Sequence, residues 1–228
     1  MFNPAALIFD MDGLLIDSEP VSERAITEFL GRRRLDPDPD MYALLLGKRL
    51  PDAILIIKDW YDLEGDQDDL LAELSETRIG ALRRGIPVMD GAVDILEWAK
   101  NVGVPRALAT SSRRSHADVA LEVTGLKGYF TVEVTGDEVQ HGKPAPDLFL
   151  LAASRLGVEA EGCVVFEDAP AGVAAAKAAG MQVVWVPNAH TRDLEMPATP
   201  DHIVSSLFEP LAWLEAEQDR IAANAVSS

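Results

Sequence analysis

Three aspartates, Asp10, Asp12 and Asp17, stand where the apolar run Leu7-Ile8-Phe9 gives out. Carboxylates crowded at the end of a buried strand repel one another, and burial adds to the cost. Asn-Gly or Ser-Gly would turn the chain without that cost, so a positive partner belongs between the acids. Farther along, the pair Glu167-Asp168 ends the run Cys163–Phe166 and raises the same problem. An oxygen-only donor set suits a hard divalent cation and favours Mg²⁺, which keeps several waters and usually also binds a phosphate oxygen. Thr110 and Ser111 end a third run, and Lys143 follows a fourth. Hydroxyl and backbone donors with one fixed cation are what a phosphoryl group needs. Of Asp10 and Asp12, one can face the phosphorus as nucleophile. The other can protonate the leaving oxygen and then activate water.

The elements that must hold these groups have two textures. Short apolar runs ("ALIF", "VPRALAT", "YFTVEV", "CVVFED", "MQVVWVP") alternate with helical patterns in "GAVDILEWAKNVG", "RRSHADVALEVTG", "DLFLLAASRLG" and "AGVAAAKAAG". Each helical pattern ends at or near a glycine, the usual helix stop. Unbroken apolarity in the runs predicts strands buried on both faces, hence an α/β fold with a mainly parallel sheet. Between the first run and the rest, residues 15–87 carry helical spacing and no convincing strand. "VSERAITEFL" puts Val21, Ala25, Phe29 and Leu30 on one face, and "DDLLAELSETRIGALRR" does the same with Leu71, Leu74 and Leu82. "PDAILIIKDWY" begins with a proline suited to a first turn. "LDPDPD" reads as a turn, and "IAANAVSS" as a fraying tail. Residues 1–14 with 88–228 are expected to form the core, and residues 15–87 a helical insert. In open α/β sheets ligands bind at the carboxyl ends of the strands, and the polar groups above lie at those ends.

Composition narrows the function. The chain of 228 residues has a formal net charge of −18, which repels nucleic acid and anionic membrane. A phosphate site in such a protein must therefore supply its own local positive charge. The single cysteine, Cys163, excludes an intrachain disulfide. Asp10 and Asp12 interrupt the only early apolar run, which reads against a signal peptide. No apolar stretch approaches bilayer-spanning length. A cytoplasmic protein, monomeric or weakly dimeric, acting on a small molecule is expected, with neither nucleic acid nor membrane as partner.

"FDMDGLLIDSE" resembles the first motif of the haloacid dehalogenase-like superfamily, "ALATSS" its second, Lys143 in "HGKPAPD" its third and "VFEDAPAGVAAAKAAG" its fourth. All four stand in family order, and the likeness covers essentially the whole chain. The resemblance implies a Rossmann-like core with an inserted α-helical cap. It makes Asp10 the nucleophile that becomes an aspartyl-phosphate, and Asp12 the general acid/base. Thr110 and Lys143 would hold the phosphoryl group. Mg²⁺ would take the Asp10 carboxylate, the Asp12 backbone carbonyl and Asp168, with Glu167 as a ligand or one water away. Dehalogenases proper lack the second aspartate, so Asp12 points to phosphorus chemistry. The chain looks most like the pseudouridine-5′-phosphatase branch, which also resembles sugar-phosphate phosphatases and β-phosphoglucomutase. The mutase carries a cap histidine where this chain has Ser22, and a Gly-Ser-Arg cap loop where this chain reads Gly47-Lys48-Arg49-Leu50.

The expected activity is Mg²⁺-dependent hydrolysis of a sugar phosphate or nucleotide monophosphate, pseudouridine 5′-phosphate among them. A β-phosphoglucomutase-type transferase and a non-catalytic phosphometabolite-binding protein are the alternatives. Lys48 and Arg49 are the cap residues set to touch substrate, against a reading as a solvated basic helix start. Thr110 can cap the next helix as well as bind phosphate. Asp17 is read as structural, Ser112 and Arg113 as either helix start or ligand contact, His141 as a loop neighbour, and Trp60 and Trp98 as packing.

Overall fold

The computed structural model describes residues 4–45 and 48–226. Gly47 of the cap loop lies outside them. Strand β1 (Ala6–Phe9) is followed by four helices, α1 (Glu19–Gly31), α2 (Pro39–Leu45), α3 (Leu50–Trp60) and α4 (Gln67–Arg83). The chain then alternates: α5 (Ala92–Asn101), β2 (Arg106–Ala109), α6 (Arg114–Thr124), β3 (Val132–Val134), α7 (Asp147–Leu156), β4 (Cys163–Glu167), α8 (Pro170–Ala178) and β5 (Gln182–Trp185). It closes with β6 (His202–Ile203) and α9 (Phe208–Val226). The sheet has the order β3-β2-β1-β4-β5-β6, and every pairing is parallel. Strand order reverses direction between β1 and β4, the position where open sheets leave a crevice.

Alternation along each strand divides the core in two. Leu7, Phe9, Leu108, Val164 and Phe166 face α5, α6 and α9, with Phe9 stacked on Phe166 at 4.9 Å. Ala6, Ile8, Ala107, Ala109 and Val165 face α7 and α8. The alanines on that side let Phe149 of α7 come down onto the sheet. The cap has its own core around Phe29, Leu30, Met41, Ile54, Ile57 and Leu74. Its base is continuous with the sheet layer, because Val21 and Ala25 of α1 and Ala81 and Leu82 of α4 belong to the first cluster. The two ends of the insert are thereby fixed, and the far end carries a separate core.

Prolines open α1, α3 and α8, and α6 and α7 stop at Gly125 and Gly157, both left-handed. Three readings differ. Helix α2 begins inside the acidic stretch read as a turn; its proline and first-turn Asp40 suit a helix start. Helix α9 continues through "IAANAV" to Val226. Trp60 ends α3 with 43% of its surface exposed, so it does not pack as expected, whereas Trp98 packs on the core. No described helix is long and apolar enough to cross a membrane.

Candidate active site

β1 ends by handing the chain from Phe9 to Asp10, whose amide donates to the Phe166 carbonyl at 3.1 Å. That bond ties the aspartate to the end of β4, which delivers Glu167 and Asp168 beside it. Carboxylate oxygens of Asp10, Glu167 and Asp168 lie within 4.8 Å of one another, and all three residues are buried. Lys143, from the loop before α7, inserts its ammonium between two of them, 2.6 Å from Asp10 Oδ1 and 2.5 Å from Glu167 Oε1. Its third donor reaches the Ala109 carbonyl at 3.2 Å, and the ammonium lies over the Phe149 ring, 4.9 Å from its centroid. Glu167 is fixed further by the Ala169 amide at 3.0 Å. Asp168 Oδ2 accepts from Asn188 Nδ2 at 2.8 Å, and its backbone carbonyl accepts from the Trp185 indole at 2.6 Å.

Two glycines make this packing possible. Gly13 has φ +81°, and a Cβ there would overlap the Asp168 carboxyl. A Cβ on Gly172 in α8 would fall inside the Glu167 carboxylate.

Burial raises the Asp10 carboxyl to about 8; Lys143 opposes that rise, while Glu167 and Asp12 add to it. Burial also lifts Asp168 well above the carboxylate range, with Glu167 and Asp10 adding repulsion. For Lys143 burial disfavours the charge, but Asp10 and Glu167 more than offset it and hold its pKa above the ordinary lysine value. Within the cluster itself, three carboxylates (Asp10, Glu167, Asp168) share one cation, Lys143. With every group ionised, two negative charges remain. The donors are all oxygen, and a hard dication balances the set.

Thr110 is fully buried at the end of β2 and donates a long 3.4 Å bond to Asp12 Oδ2. Its hydroxyl also accepts from the Ser112 amide at 3.0 Å. It does not cap the next helix, because α6 starts three residues later from Arg113. Ser111 lines the same cavity, and Gly136 lets another segment press against its carbonyl. Asp12 does not join the cluster of three carboxylates. Its side chain pairs with Arg78 of α4 at 3.0 Å and accepts from Ser112 Oγ at 2.7 Å.

Lys48 and Arg49 line the cavity from the cap side and are exposed, and Arg49 pairs with Asp52 at 3.0 Å. The cavity holds about 410 Å³ and takes walls from both layers. Three of its residues escape a reading of the sequence. Arg78 sits in a helix rich in ordinary surface charge, where nothing marks it. His116 lies in α6 and meets Ser75 of α4 at 2.8 Å. Asn188 does have a signal, since it follows the β5 run at the active edge.

A family model described as haloacid dehalogenase-like hydrolase matches residues 4–180. The chain belongs to that family. It is 39% identical over 185 residues to the fructose-1-phosphate phosphatase YqaB of Escherichia coli, covering 80% of this chain and 96% of the relative. It is 32% identical over 183 residues to a phosphorylated carbohydrates phosphatase of Thermotoga maritima, covering 79% and 83%. Among solved structures, a variant of CbbY from Rhodobacter sphaeroides in complex with xylulose-(1,5)bisphosphate superposes with a TM-score of 0.80 at 28% identity. That likeness covers 90% of this chain and 96% of the other. The acid cluster, the lysine between its members and the family together identify an enzyme with a hydrolase active site.

Proposed function

We propose that this enzyme is a Mg²⁺-dependent phosphatase that hydrolyses a small sugar phosphate through an aspartyl-phosphate on Asp10. The observation that carries the reading is the Asp10 carboxylate, buried at the end of β1, held by Lys143 and gathered with Glu167 and Asp168. Asp10 and Asp168, with Glu167 close by and the Asp12 backbone carbonyl, would hold the cation. Bound there, Mg²⁺ supplies charge neutralisation for the phosphoryl oxygens.

The protein's own part runs as follows. Lys143 and the Thr110–Ser111 segment seat the phosphoryl group. Asp10 attacks phosphorus and the ester P–O bond breaks. The departing oxygen takes a proton from Asp12. A water then gives a proton to Asp12 and attacks the phosphorus of the acyl phosphate, which frees inorganic phosphate and restores Asp10. The cap, proposed to comprise residues 15–87, excludes bulk water during the first half and selects the sugar with Lys48 and Arg49. The named activities of the two relatives, on fructose 1-phosphate and on phosphorylated carbohydrates, support a sugar phosphate. A cavity of about 410 Å³ suits a molecule of that size. Ser22 uses its hydroxyl on the Ser18 carbonyl at 3.2 Å, which favours hydrolysis over the mutase reading.

The test is phosphate release across a panel of sugar phosphates, nucleoside monophosphates and pseudouridine 5′-phosphate, with Mg²⁺ and after chelation. Release from a sugar phosphate that stops on chelation and returns with Mg²⁺ is expected. Turnover that survives thorough chelation refutes the metal. Phosphate moved within the substrate and never released refutes the hydrolase.

A further inference from the structure

Asn188 stands just past the end of β5 and joins the loop that follows to the acid cluster. Its side-chain Nδ2 donates to Asp168 Oδ2 at 2.8 Å and to the Gly13 carbonyl at 3.1 Å. Its Oδ1 accepts from the amides of His190 at 2.8 Å and Thr191 at 3.2 Å. Donors meet acceptors at both ends of the carboxamide, which fixes its orientation. The approach depends on bare backbone at Gly13, where a Cβ would lie 2.9 Å from Nδ2.

The turn alone does not call for asparagine. The backbone amide of Asn188 donates to Thr191 Oγ, and its carbonyl accepts from the amide and side chain of Arg192. Serine or aspartate would close the same turn with a side-chain oxygen. Serine is too short to reach Asp168 as well, and aspartate would set another carboxylate against it. Only the carboxamide accepts from its own loop while donating to the site.

That donation commits one of the two Asp168 oxygens. The other acids of the cluster are committed in the same way: Asp10 Oδ1 and Glu167 Oε1 to Lys143, and Glu167 Oε2 to the Ala169 amide. Among the described residues, Asp10 and Asp168 thus keep one uncommitted oxygen each, and Glu167 none. Mg²⁺ binds through one or two carboxylates and keeps its waters, whereas Ca²⁺ takes more oxygens and accepts a carboxylate through both of its own. Resting on the phosphatase reading, we infer that Asn188 is a positioning residue that sets the metal preference of the site. It restricts Asp168 to a single oxygen and so favours Mg²⁺ over Ca²⁺. Bidentate ligation by Asp168 would have to break the Asn188 bond, while the Trp185 indole holds the Asp168 carbonyl at 2.6 Å.

The ratio of two affinities separates this role from a structural one. Metal-free wild type, Asn188→Ala, Asn188→Ser and Thr191→Val are titrated with MgCl₂ and, separately, with CaCl₂ at constant ionic strength. Each affinity is read from the rise in Tm. Asn188→Ala is expected to bind Mg²⁺ at least about tenfold more weakly, as loss of a group that orients a ligand does. Ca²⁺, free to use both oxygens, should keep its affinity, so the preference for Mg²⁺ falls by the same factor. Asn188→Ser keeps an acceptor for the turn and should match alanine. Thr191→Val loosens only the loop and should keep the wild-type ratio. A parallel loss for both ions, no loss for either, a serine variant with the wild-type ratio, or a Thr191→Val shift as large as that of Asn188→Ala would each overturn the inference. If Asn188→Ala fails to fold, the ratio of Asn188→Ser decides. Phosphate release from fructose 1-phosphate by wild type keeps the two readings apart. Turnover with Mg²⁺ beside an unchanged ratio in the variants removes the role of Asn188 alone. A wild type that neither binds Mg²⁺ nor releases phosphate removes the phosphatase reading, and the role of Asn188 with it.

Discussion

The floor and the roof of the cavity are built on opposite plans. On the floor, Asp10, Glu167, Asp168 and Thr110 are buried at strand ends, Lys143 reaches in from the loop before α7, and most hold at least one partner across the sheet. On the roof, Lys48 and Arg49 are exposed, and among the described residues Arg49 pairs with Asp52 of α3. Groups that perform bond-making need fixed positions and pay for them in desolvation; groups that sample different sugars do not. The floor should therefore tolerate nothing, and the roof nearly anything.

The severest break is at the nucleophile. Asp10→Asn should lower turnover by about four orders of magnitude or more, as loss of a covalent nucleophile does. The fold should survive, because burial already disfavours the charge that the substitution removes. Steady-state phosphate release with far-ultraviolet circular dichroism checks both halves.

Lys143→Ala should cost turnover and stability together. It leaves Asp10 and Glu167 facing each other without their shared cation, and breaking such a buried pair costs about 3–5 kcal/mol. Urea denaturation without divalent cations measures this, and added Mg²⁺ should return part of the loss.

His116, where floor meets roof, gives a pH signature. Burial and the nearby Arg78 lower its pKa from 6.5 to about 4, against an opposing hydrogen bond that the ring donates to the Ser75 carbonyl. The unfolded chain therefore binds a proton between those values that the folded chain refuses. Stability from this group is complete above pH 6.5 and is lost as pH falls towards 4, by about 3 kcal/mol. His116→Gln should lack that dependence, so the stability difference between variant and wild type should shift by this amount from pH 7 to 4. A constant difference, read from urea midpoints, removes the buried neutral imidazole.

The smallest effect belongs to the roof. Arg49→Ala and Lys48→Ala should each change stability by less than about 0.5 kcal/mol. They should raise KM for the sugar phosphate several-fold while kcat holds. A fall in kcat as large as that of Lys143→Ala would erase the contrast between the two surfaces.

The same contrast governs what the sequence discloses. Strands buried on both faces have to be apolar throughout, and the acids at their ends have no ordinary reason to be there. Asp10, Asp12, Glu167 and Asp168 stand out for that reason. Lys143 is legible as a cation set after the fourth apolar run of an acidic chain. Arg78 is not, because an arginine in an amphipathic helix needs no explanation until the helix is docked. Helix α2 was hidden by its own prolines and acids, which suit a turn and a helix start equally. The end of α9 was hidden because alanines in "IAANAV" give no apolar stripe to follow. Asn188 was within reach: the strand-end rule that drew attention to Thr110 applies to it as well.

Inserting the cap directly after β1 has a consequence for how the chain comes off the ribosome. β1 lies in the middle of the sheet, between β2 and β4, so the first strand made keeps an open edge until the fourth is made. Lys143, which neutralises Asp10, is 133 residues away along the chain. Until β4 emerges, the Leu7-Ile8-Phe9 segment has an open edge of the kind that pairs with other chains. The acids that follow it work against such pairing through their mutual repulsion. Pairing so distant in sequence also slows folding. The carboxylates that make the site reactive thus protect the nascent chain before they have anything to react with.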